Sequence, residues 1–265
     1  EGGVGVISAV GIGMTQPNYR SNFRNANKTA LRNEIRKSRQ NTNGIIGVNI
    51  MLAISDFEDL LKVALEEKVD IVFIGAGLPI KKPSNIELSV LENTETKFIP
   101  KVSSARAAQL IFKYWSDNYN RVPDAIVVEG SLSGGHQGFK KEDVLFPKLL
   151  LSTIVKEIIE VISPFEDKYN REIPIIAGGG IYNGDDIFNI IKAGAKGVKL
   201  GTRFVTTHEC DVSIKFKQNY LSCKSNDITI IDSPVGLPAR VISNDFVKEI
   251  QQGKQRPNNC PWKCL

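Results

Sequence analysis

Residues 127–138 read VVEGSLSGGHQG, an apolar segment of strand character that runs into a glycine-rich loop carrying a histidine. Similar segments follow it, IIAGGGI at residues 175–181 and VKLGTRF at residues 198–204. Strands that end in glycine let a ligand approach the backbone closely, because no Cβ stands in the way. We therefore interpret these segments as strand ends that surround a ligand site.

Apolar runs of this kind recur along all 265 residues, separated by segments of helical pattern. They are nearly continuously apolar, which is typical of parallel strands covered on both faces. The alternation of strands and helices predicts an α/β protein with a parallel sheet, and the length fits a (β/α)8 TIM barrel. The alternative is an open doubly wound sheet, but its G-x-G-x-x-G fingerprint does not follow the first strand. The predicted strands are residues 4–8, 45–51, 71–74, 98–102, 125–129, 174–177 and 197–200.

The first predicted strand begins almost at residue 1, so we expect the first strand–helix unit of the barrel to be missing from this sequence. We treat residues 1–265 as a single domain. Its tail, from about residue 233 to residue 265, contains four prolines and is expected to wrap the barrel.

Several helices have recognisable ends. The segment Ser55-Asp56-Phe57-Glu58 predicts a capping box. Ser104 and Asn183 are each expected to cap the helix that follows, and Gly194 is expected to end the second of these helices.

The composition is that of an ordinary soluble globular protein, with 42% hydrophobic residues, 24% charged residues and a net charge of +5. Much of the positive charge lies in residues 20–39, which we interpret as a solvated helix face rather than a nucleic-acid site. No apolar run of about 18 residues predicts a membrane span, and no signal peptide is recognisable.

The four cysteines are too few and too scattered for a disulfide framework. Cys260 and Cys264 form a lone Cys-x3-Cys without the second pair of ligands that a structural zinc site needs. We expect reduced thiols, no metal and a cytoplasmic location.

In a barrel the active site lies at the carboxyl ends of the strands, and a phosphate commonly binds after the last two. Gly178–Gly180 and Gly201–Thr202 occupy those places, with a helix starting near Asn183. His136 follows the sixth strand of the full barrel and is a candidate acid or base, since imidazole titrates near neutrality. The alternatives are glycines that only form tight turns and a histidine that is only a surface residue. We expect no function for the second histidine, His208.

Polar side chains inside or at the ends of the strands are further candidates. Asn49 lies within an apolar strand, where an unpaired amide costs about 1–3 kcal/mol, so it is expected to bind either a ligand or the loop backbone. Lys101 and Glu129 lie at strand ends and face the cavity or pair across its rim. Lys199 lies two residues before Gly201 and points to the same side.

Five segments together resemble the nitronate monooxygenase family, formerly called 2-nitropropane dioxygenases, which are FMN-containing barrels. The resemblance covers nearly the whole chain, from residue 2 to at least residue 204. Leu132-Ser133 stand where the family usually has Glu-Ala, and Lys199 stands where glutamine is common. The segments, in family order, are GVNIM (47–51), GAGLP (75–79), GGH (134–136), AGGGI (177–181) and GTRF (201–204).

The resemblance implies FMN as cofactor and oxidation of an alkyl nitronate by dioxygen to a carbonyl compound and nitrite. His136 matches the catalytic histidine, which removes the α-proton of a neutral nitroalkane or hydrogen-bonds the bound anion. A homodimer is left open, and no nucleic-acid or membrane partner is expected. The residues predicted to bind the cofactor, from the resemblance and the strand ends together, are Asn49, Lys101, Glu129, Gly134, Gly135, Gly178, Gly179, Gly180, Lys199, Leu200, Gly201 and Thr202.

Two other functions remain open. The same barrel and histidine motif occur in FMN- and NADH-dependent enoyl-acyl-carrier-protein reductases. A flavin-free barrel isomerase or lyase would instead bind a sugar phosphate between residues 178 and 202.

Overall fold

The computed structural model describes residues 2–145, 149–233 and 237–253. Its centre is one parallel sheet in the order β1-β2-β3-β4-β5-β7-β8, and a second sheet has the order β6-β10-β9. The strands are β1 (Gly5–Ser8), β2 (Ile46–Met51), β3 (Ile71–Gly75), β4 (Lys97–Val102), β5 (Ile126–Glu129), β6 (Gly135–His136), β7 (Ile175–Gly178), β8 (Gly197–Lys199), β9 (Ile228–Asp232) and β10 (Pro238–Ile242).

Helices follow most strands of the central sheet, as the barrel prediction requires. They are α1 (Phe23–Asn41), α2 (Phe57–Glu66), α3 (Leu88–Asn93), α4 (Ala105–Tyr119), α5 (Lys141–Leu145), α6 (Leu151–Tyr169), α7 (Gly184–Lys192), α8 (Thr202–Val205), α9 (Ile214–Ser222) and α10 (Asp245–Gln251). None of the helices within the described ranges combines the length and apolar composition needed to cross a bilayer.

The seven strands of the central sheet match the predicted strands to within one residue at each end. Strands adjacent in the sheet follow one another in chain order and are all parallel. The TIM-barrel class of fold is thereby confirmed. Over the part of the chain that is described, β1 pairs only with β2 and β8 only with β7. The missing strand–helix unit stays a prediction.

The sheet is apolar on both faces because it separates two cores. Val72 and Ile74 of β3 pack into the large core under the helices. Phe73, between them, points to the opposite face, where it joins Ile99 and Val127 in a small inner cluster. Successive strand residues point to opposite faces, so a strand covered on both sides has no polar positions along most of its length. This geometry explains the continuous apolar runs of the sequence.

Two of the predicted helix caps are confirmed. The Ser104 side chain accepts a hydrogen bond from the backbone N–H of Ala107, and Asn183 and Asp186 form a reciprocal capping box at α7. Gly194 follows α7 with φ +114°, a conformation that glycine adopts without strain.

The predicted capping box at Ser55 is wrong. The residue that precedes α2 is Asp56, and its side chain makes no capping hydrogen bond. Its Oδ2 instead accepts a hydrogen bond of 2.8 Å from Nδ2 of Asn27. Both side chains are almost fully buried. A buried polar pair between two helices therefore replaces the local cap.

The basic segment at residues 20–39 forms α1 and is partly exposed, but its charges are paired. Arg24, Arg36 and Arg39 form ion pairs of 2.7–2.8 Å with Asp59, Glu67 and Asp70, and Arg32 binds both Glu66 and Glu67. The carboxylates of the next unit therefore interrupt the basic surface of this helix.

The second sheet was not expected from the sequence. In it β10 pairs antiparallel with β9 and with the two-residue strand β6, so that Ala239 lies opposite His136 and Arg240 opposite Gly135. Ile231, Ala239 and Val247 form a small core of their own. Of the tail that was predicted to wrap the barrel, the described part thus lies beside the histidine loop. Residues 254–265, including Cys260 and Cys264, lie outside the described residues.

Candidate active site

Three charged side chains meet at the carboxyl end of the central sheet. Glu129 and Lys199 end β5 and β8, and Lys101 is the last residue but one of β4. Each lies an even number of residues from an inward-facing strand position. They therefore share the inner face of the sheet. The Lys199 ammonium contacts Oε1 of Glu129, and Nζ of Lys101 lies 4.0 Å from the same oxygen. For Lys101 and Glu129 the sequence left open whether they face the cavity or pair with each other. Both arrangements occur, since the two residues lie close together and also line cavities.

This charged cluster favours an anionic ligand. Burial lowers the pKa of Lys101 to about 8, and the neighbouring positive charge of Lys199 acts in the same direction, whereas Glu129 opposes it. A lowered lysine pKa means that the ammonium form is present below about pH 8 and is lost above it. At neutral pH two ammonium groups face one carboxylate, so the cluster carries a net positive charge.

A first cavity, which we call the glycine cavity, has a volume of about 510 Å³. It lies where the loops after β5, β7 and β8 meet, with β10 forming part of its wall. Most of the predicted cofactor-binding residues line it: Glu129, Gly134, Gly135, Gly178, Gly179, Gly180, Lys199, Gly201 and Thr202.

Two glycines of this cavity differ in the space around their Cβ positions. Gly180 has φ +78°, and a Cβ added there would come within 2.9 Å of Cδ1 of Leu132. A Cβ on Gly201 would meet no atom within 4 Å, so this glycine faces open space. The first position is constrained by the fold, whereas the second leaves room that a ligand can occupy.

The start of α7 does not contribute to the glycine cavity as expected. Oδ2 of Asp186 accepts hydrogen bonds from the backbone N–H groups of Tyr182 and Asn183, at 2.9 and 3.0 Å. The start of this helix is thus occupied by its own capping hydrogen bonds, and residues 183–186 do not line the cavity. An anion in the cavity would depend on the loop backbone and on basic side chains.

A second cavity, which we call the histidine cavity, has a volume of about 360 Å³ and also borders Glu129. His136, Gln137 and Lys101 give it polar groups, and several apolar side chains line the remainder. The apolar lining consists of Met51, Ala53, Ala76, Leu78, Val102, Ala107 and Leu237. An apolar chamber with a few convergent polar groups is typical of a small-molecule site.

His136 is available as a base in this cavity. It lies on β6, opposite Ala239, with its side chain exposed to the cavity. Desolvation by the surrounding protein lowers the pKa of its imidazole below the ordinary value of 6.5. The neutral ring, which can accept a proton, is therefore the main form at pH 7.

We expect His136 to titrate with a midpoint below pH 6.5 in the free protein. Since desolvation disfavours the imidazolium, its proton is lost at a lower pH than in an exposed peptide. The chain has only two histidines, so NMR signals of the imidazole C–H groups can be assigned with the His136→Ala and His208→Ala variants. A midpoint above 6.5 would contradict the stated environment.

Asn49 lies on the inner face of β2, between Ser8 of β1 and Phe73 of β3. Its Oδ1 atom is buried and has no hydrogen-bond partner. Such an atom costs about 1–3 kcal/mol unless a donor reaches it, and a heterocyclic N–H is a donor of that kind. Of the two expected partners of Asn49, a loop backbone group does not bind this oxygen within the described residues.

Two further residues considered in the sequence analysis, Leu200 and His208, lie outside both cavities. Leu200 follows β8 directly and lines neither cavity, and His208 is exposed and also lines neither. Arg240 and Gln137 line the cavities but were not predicted. Arg240 could have been found by the reasoning applied to Asn49, since PARVI at residues 238–242 is a strand-like run with one polar side chain.

Comparison with known proteins links this site to a family. A family model described as nitronate monooxygenase matches residues 1–263. A curated probable nitronate monooxygenase of Staphylococcus saprophyticus is 26% identical over 198 residues, which is 74% of this chain and 50% of that protein. A curated octahydroindene-carboxyl-CoA dehydrogenase of Rhodococcus jostii is 26% identical over 84% of this chain and 55% of its own length.

The structure of FabK from Thermotoga maritima is similar as well. It has a TM-score of 0.68 and 32% identity, over 85% of this chain and 63% of that chain. The chain thus spans about half the length of the curated relatives it matches.

Proposed function

The chain belongs to the nitronate monooxygenase family, and from this we propose that the protein binds FMN and oxidises alkyl nitronates or nitroalkanes with dioxygen, giving a carbonyl compound and nitrite. The observation that carries the proposal is the arrangement of the two cavities. The histidine cavity holds the candidate base, the glycine cavity holds most of the predicted cofactor residues, and Glu129 borders both.

The residues present fit a flavin mononucleotide. The glycine cavity offers exposed loop backbone and basic side chains for a phosphate. Asn49 provides a buried acceptor without a partner, which suits an N–H at the edge of a flavin. When bound, FMN supplies the electron transfer between substrate and dioxygen.

The protein's own groups handle the proton and the charge of the substrate. His136, neutral at pH 7, accepts the α-proton of a nitroalkane at a ring nitrogen. Lys101 lines the same cavity and is protonated below about pH 8, so it stabilises the resulting nitronate anion. The apolar lining holds the alkyl chain and limits the access of water.

The experiment that tests this proposal uses the purified protein, reconstituted with FMN and kept without oxygen. We expect the visible absorption of the flavin to fall when an alkyl nitronate is added and to stay unchanged with NADH. Admission of oxygen should then restore the absorption and release nitrite. Loss of the absorption with NADH alone would overturn the proposal.

A second candidate is the NADH-dependent enoyl-acyl-carrier-protein reductase considered from the sequence. The similarity to the Thermotoga maritima FabK structure, at 32% identity over 85% of this chain, supports this second candidate. In that case NADH, rather than the nitronate, should reduce the flavin. A protein that takes up no flavin would contradict both functions and leave the flavin-free isomerase or lyase.

The proposal also includes a cytoplasmic location and small-molecule partners only. Cys210 and Cys223 are free thiols, which is compatible with a reducing compartment. The homodimer stays a prediction.

A further inference from the structure

Arg240 is a basic side chain in the wall of the glycine cavity that lacks a carboxylate partner within the described residues. Its Nη2 donates a hydrogen bond of 3.0 Å to the backbone oxygen of Ser131, while its Nε is buried and has no acceptor among the residues that the structure describes. Burial lowers the pKa of this guanidinium below its usual value. A cation that is partly removed from water is costly unless an anion compensates it.

The other cations of the cavity are already engaged. Lys199 contacts Glu129. Arg203 stacks over the ring of Tyr182, 4.7 Å from its centroid, and donates to the backbone oxygen of the same residue. Arg240 is therefore the cation of this cavity that has neither a carboxylate nor an aromatic ring as partner, as far as the described residues show.

Arg240 lies beside the loop that forms one side of the glycine cavity, opposite the start of α8. It lies opposite Gly135 in the β6–β10 pair. A Cβ on the neighbouring Gly134 would have the Thr202 hydroxyl, at 4.0 Å, as its nearest neighbour. The guanidinium is thus carried by a strand next to the loop that contains Gly134 and Gly135. This loop faces the start of α8 across a narrow gap.

We propose that Arg240 binds the phosphate of FMN in the glycine cavity. The proposal rests on the proposed function, because it assumes that the ligand is a flavin mononucleotide. A planar guanidinium suits a phosphate, to which it can donate two parallel hydrogen bonds. Because Arg240 also holds Ser131 and pairs with Gly135, a bound phosphate would fix the loop that carries His136.

The experiment compares the affinities of FMN and riboflavin, which lacks the phosphate. Both are measured by fluorescence titration of the flavin-free protein and of the Arg240→Gln, Arg240→Lys and Arg106→Gln variants. Arg106 is an exposed arginine on α4 that lines neither cavity, and its variant is the matched control.

We expect Arg240→Gln to weaken FMN binding roughly tenfold, as for the loss of one charge-assisted hydrogen bond, and to leave riboflavin binding unchanged. Arg240→Lys should recover part of the loss, and Arg106→Gln should bind both flavins like the unchanged protein. Equal loss of FMN and riboflavin binding would show a structural role and overturn the inference, as would no loss at all. If the unchanged protein binds neither flavin, the proposed function itself fails.

A second measurement does not depend on the stability of the glutamine variant. Inorganic phosphate should weaken the binding of FMN to the unchanged protein. It should not weaken the binding of riboflavin. The Arg240→Lys variant should need a higher phosphate concentration for the same effect. Competition by phosphate that is equal in both proteins would contradict a role of Arg240 in phosphate binding.

Discussion

Replacing His136 with alanine is expected to lower the rate with a neutral nitroalkane by about 10²–10⁴-fold, the range for loss of a positioned base. The reason is that His136 lines the cavity proposed to bind the substrate, and desolvation lowers the pKa of its imidazole so that the ring is neutral at pH 7. Lys101 lines the same cavity but holds its proton below about pH 8, so it is a poor substitute as base. Flavin content should be unchanged, because His136 does not line the glycine cavity.

The preformed nitronate separates the role of His136 as a base from a role in binding. A nitronate has already lost its α-proton, so His136→Ala should affect its oxidation much less than that of the nitroalkane. Oxygen consumption with each substrate, at pH 7 and with saturating FMN, measures the two effects. His208→Ala is the control, since His208 is exposed and outside both cavities. Undiminished activity of His136→Ala with nitroalkane would exclude the general-base role.

The central sheet could be predicted because its signal is local. Each strand is a short apolar run whose residues are covered on both faces, as Phe73 is on one side and Val72 and Ile74 on the other. Such runs are visible without knowing their partners. The ends of the strands also identified Lys101, Glu129 and Lys199, because the parity of strand positions sets the face on which a side chain lies.

The second sheet could not be predicted because its pairing is distant in sequence. Strand β6 has only two residues, and its partner β10 follows about 100 residues later. Neither has a strong pattern of its own, and strand formation depends on the partner. Arg240 could be recognised as the polar residue of the strand-like run 238–242, but nothing in the sequence places it beside Gly135.

The wrong capping box has a related cause. The sequence around Ser55 satisfies the local rule, but the buried contact between Asp56 and Asn27 connects residues 29 positions apart. A buried hydrogen bond between two helices outweighs a solvent-exposed cap, because leaving either group unpaired in the core costs more. Local rules therefore failed where tertiary contacts compete for the same polar side chain.

Replacing Gly201 with valine is expected to weaken FMN binding about 100-fold or more, since filling a ligand site costs roughly 3 kcal/mol. The side chain would extend into the open space of the glycine cavity, as no protein atom lies within 4 Å of the added Cβ. The backbone at Gly201 has φ −131° and ψ −68°, so it does not lie in the left-handed region that favours glycine. We therefore expect the variant to fold and to lose the cofactor.

Gly201 gives a cleaner test of the cofactor site than Gly180. Bulk at Gly180 should also weaken FMN binding, but its φ of +78° and the 2.9 Å approach to Leu132 would strain the protein itself. Gly184→Val is the matched control, since Gly184 also has free space around its Cβ position but lies outside both cavities. Fluorescence titration of FMN and thermal unfolding of each variant measure the two effects separately. Normal FMN affinity in Gly201→Val would place the phosphate elsewhere, whereas lost affinity with an unchanged Tm would support the glycine cavity as the cofactor site.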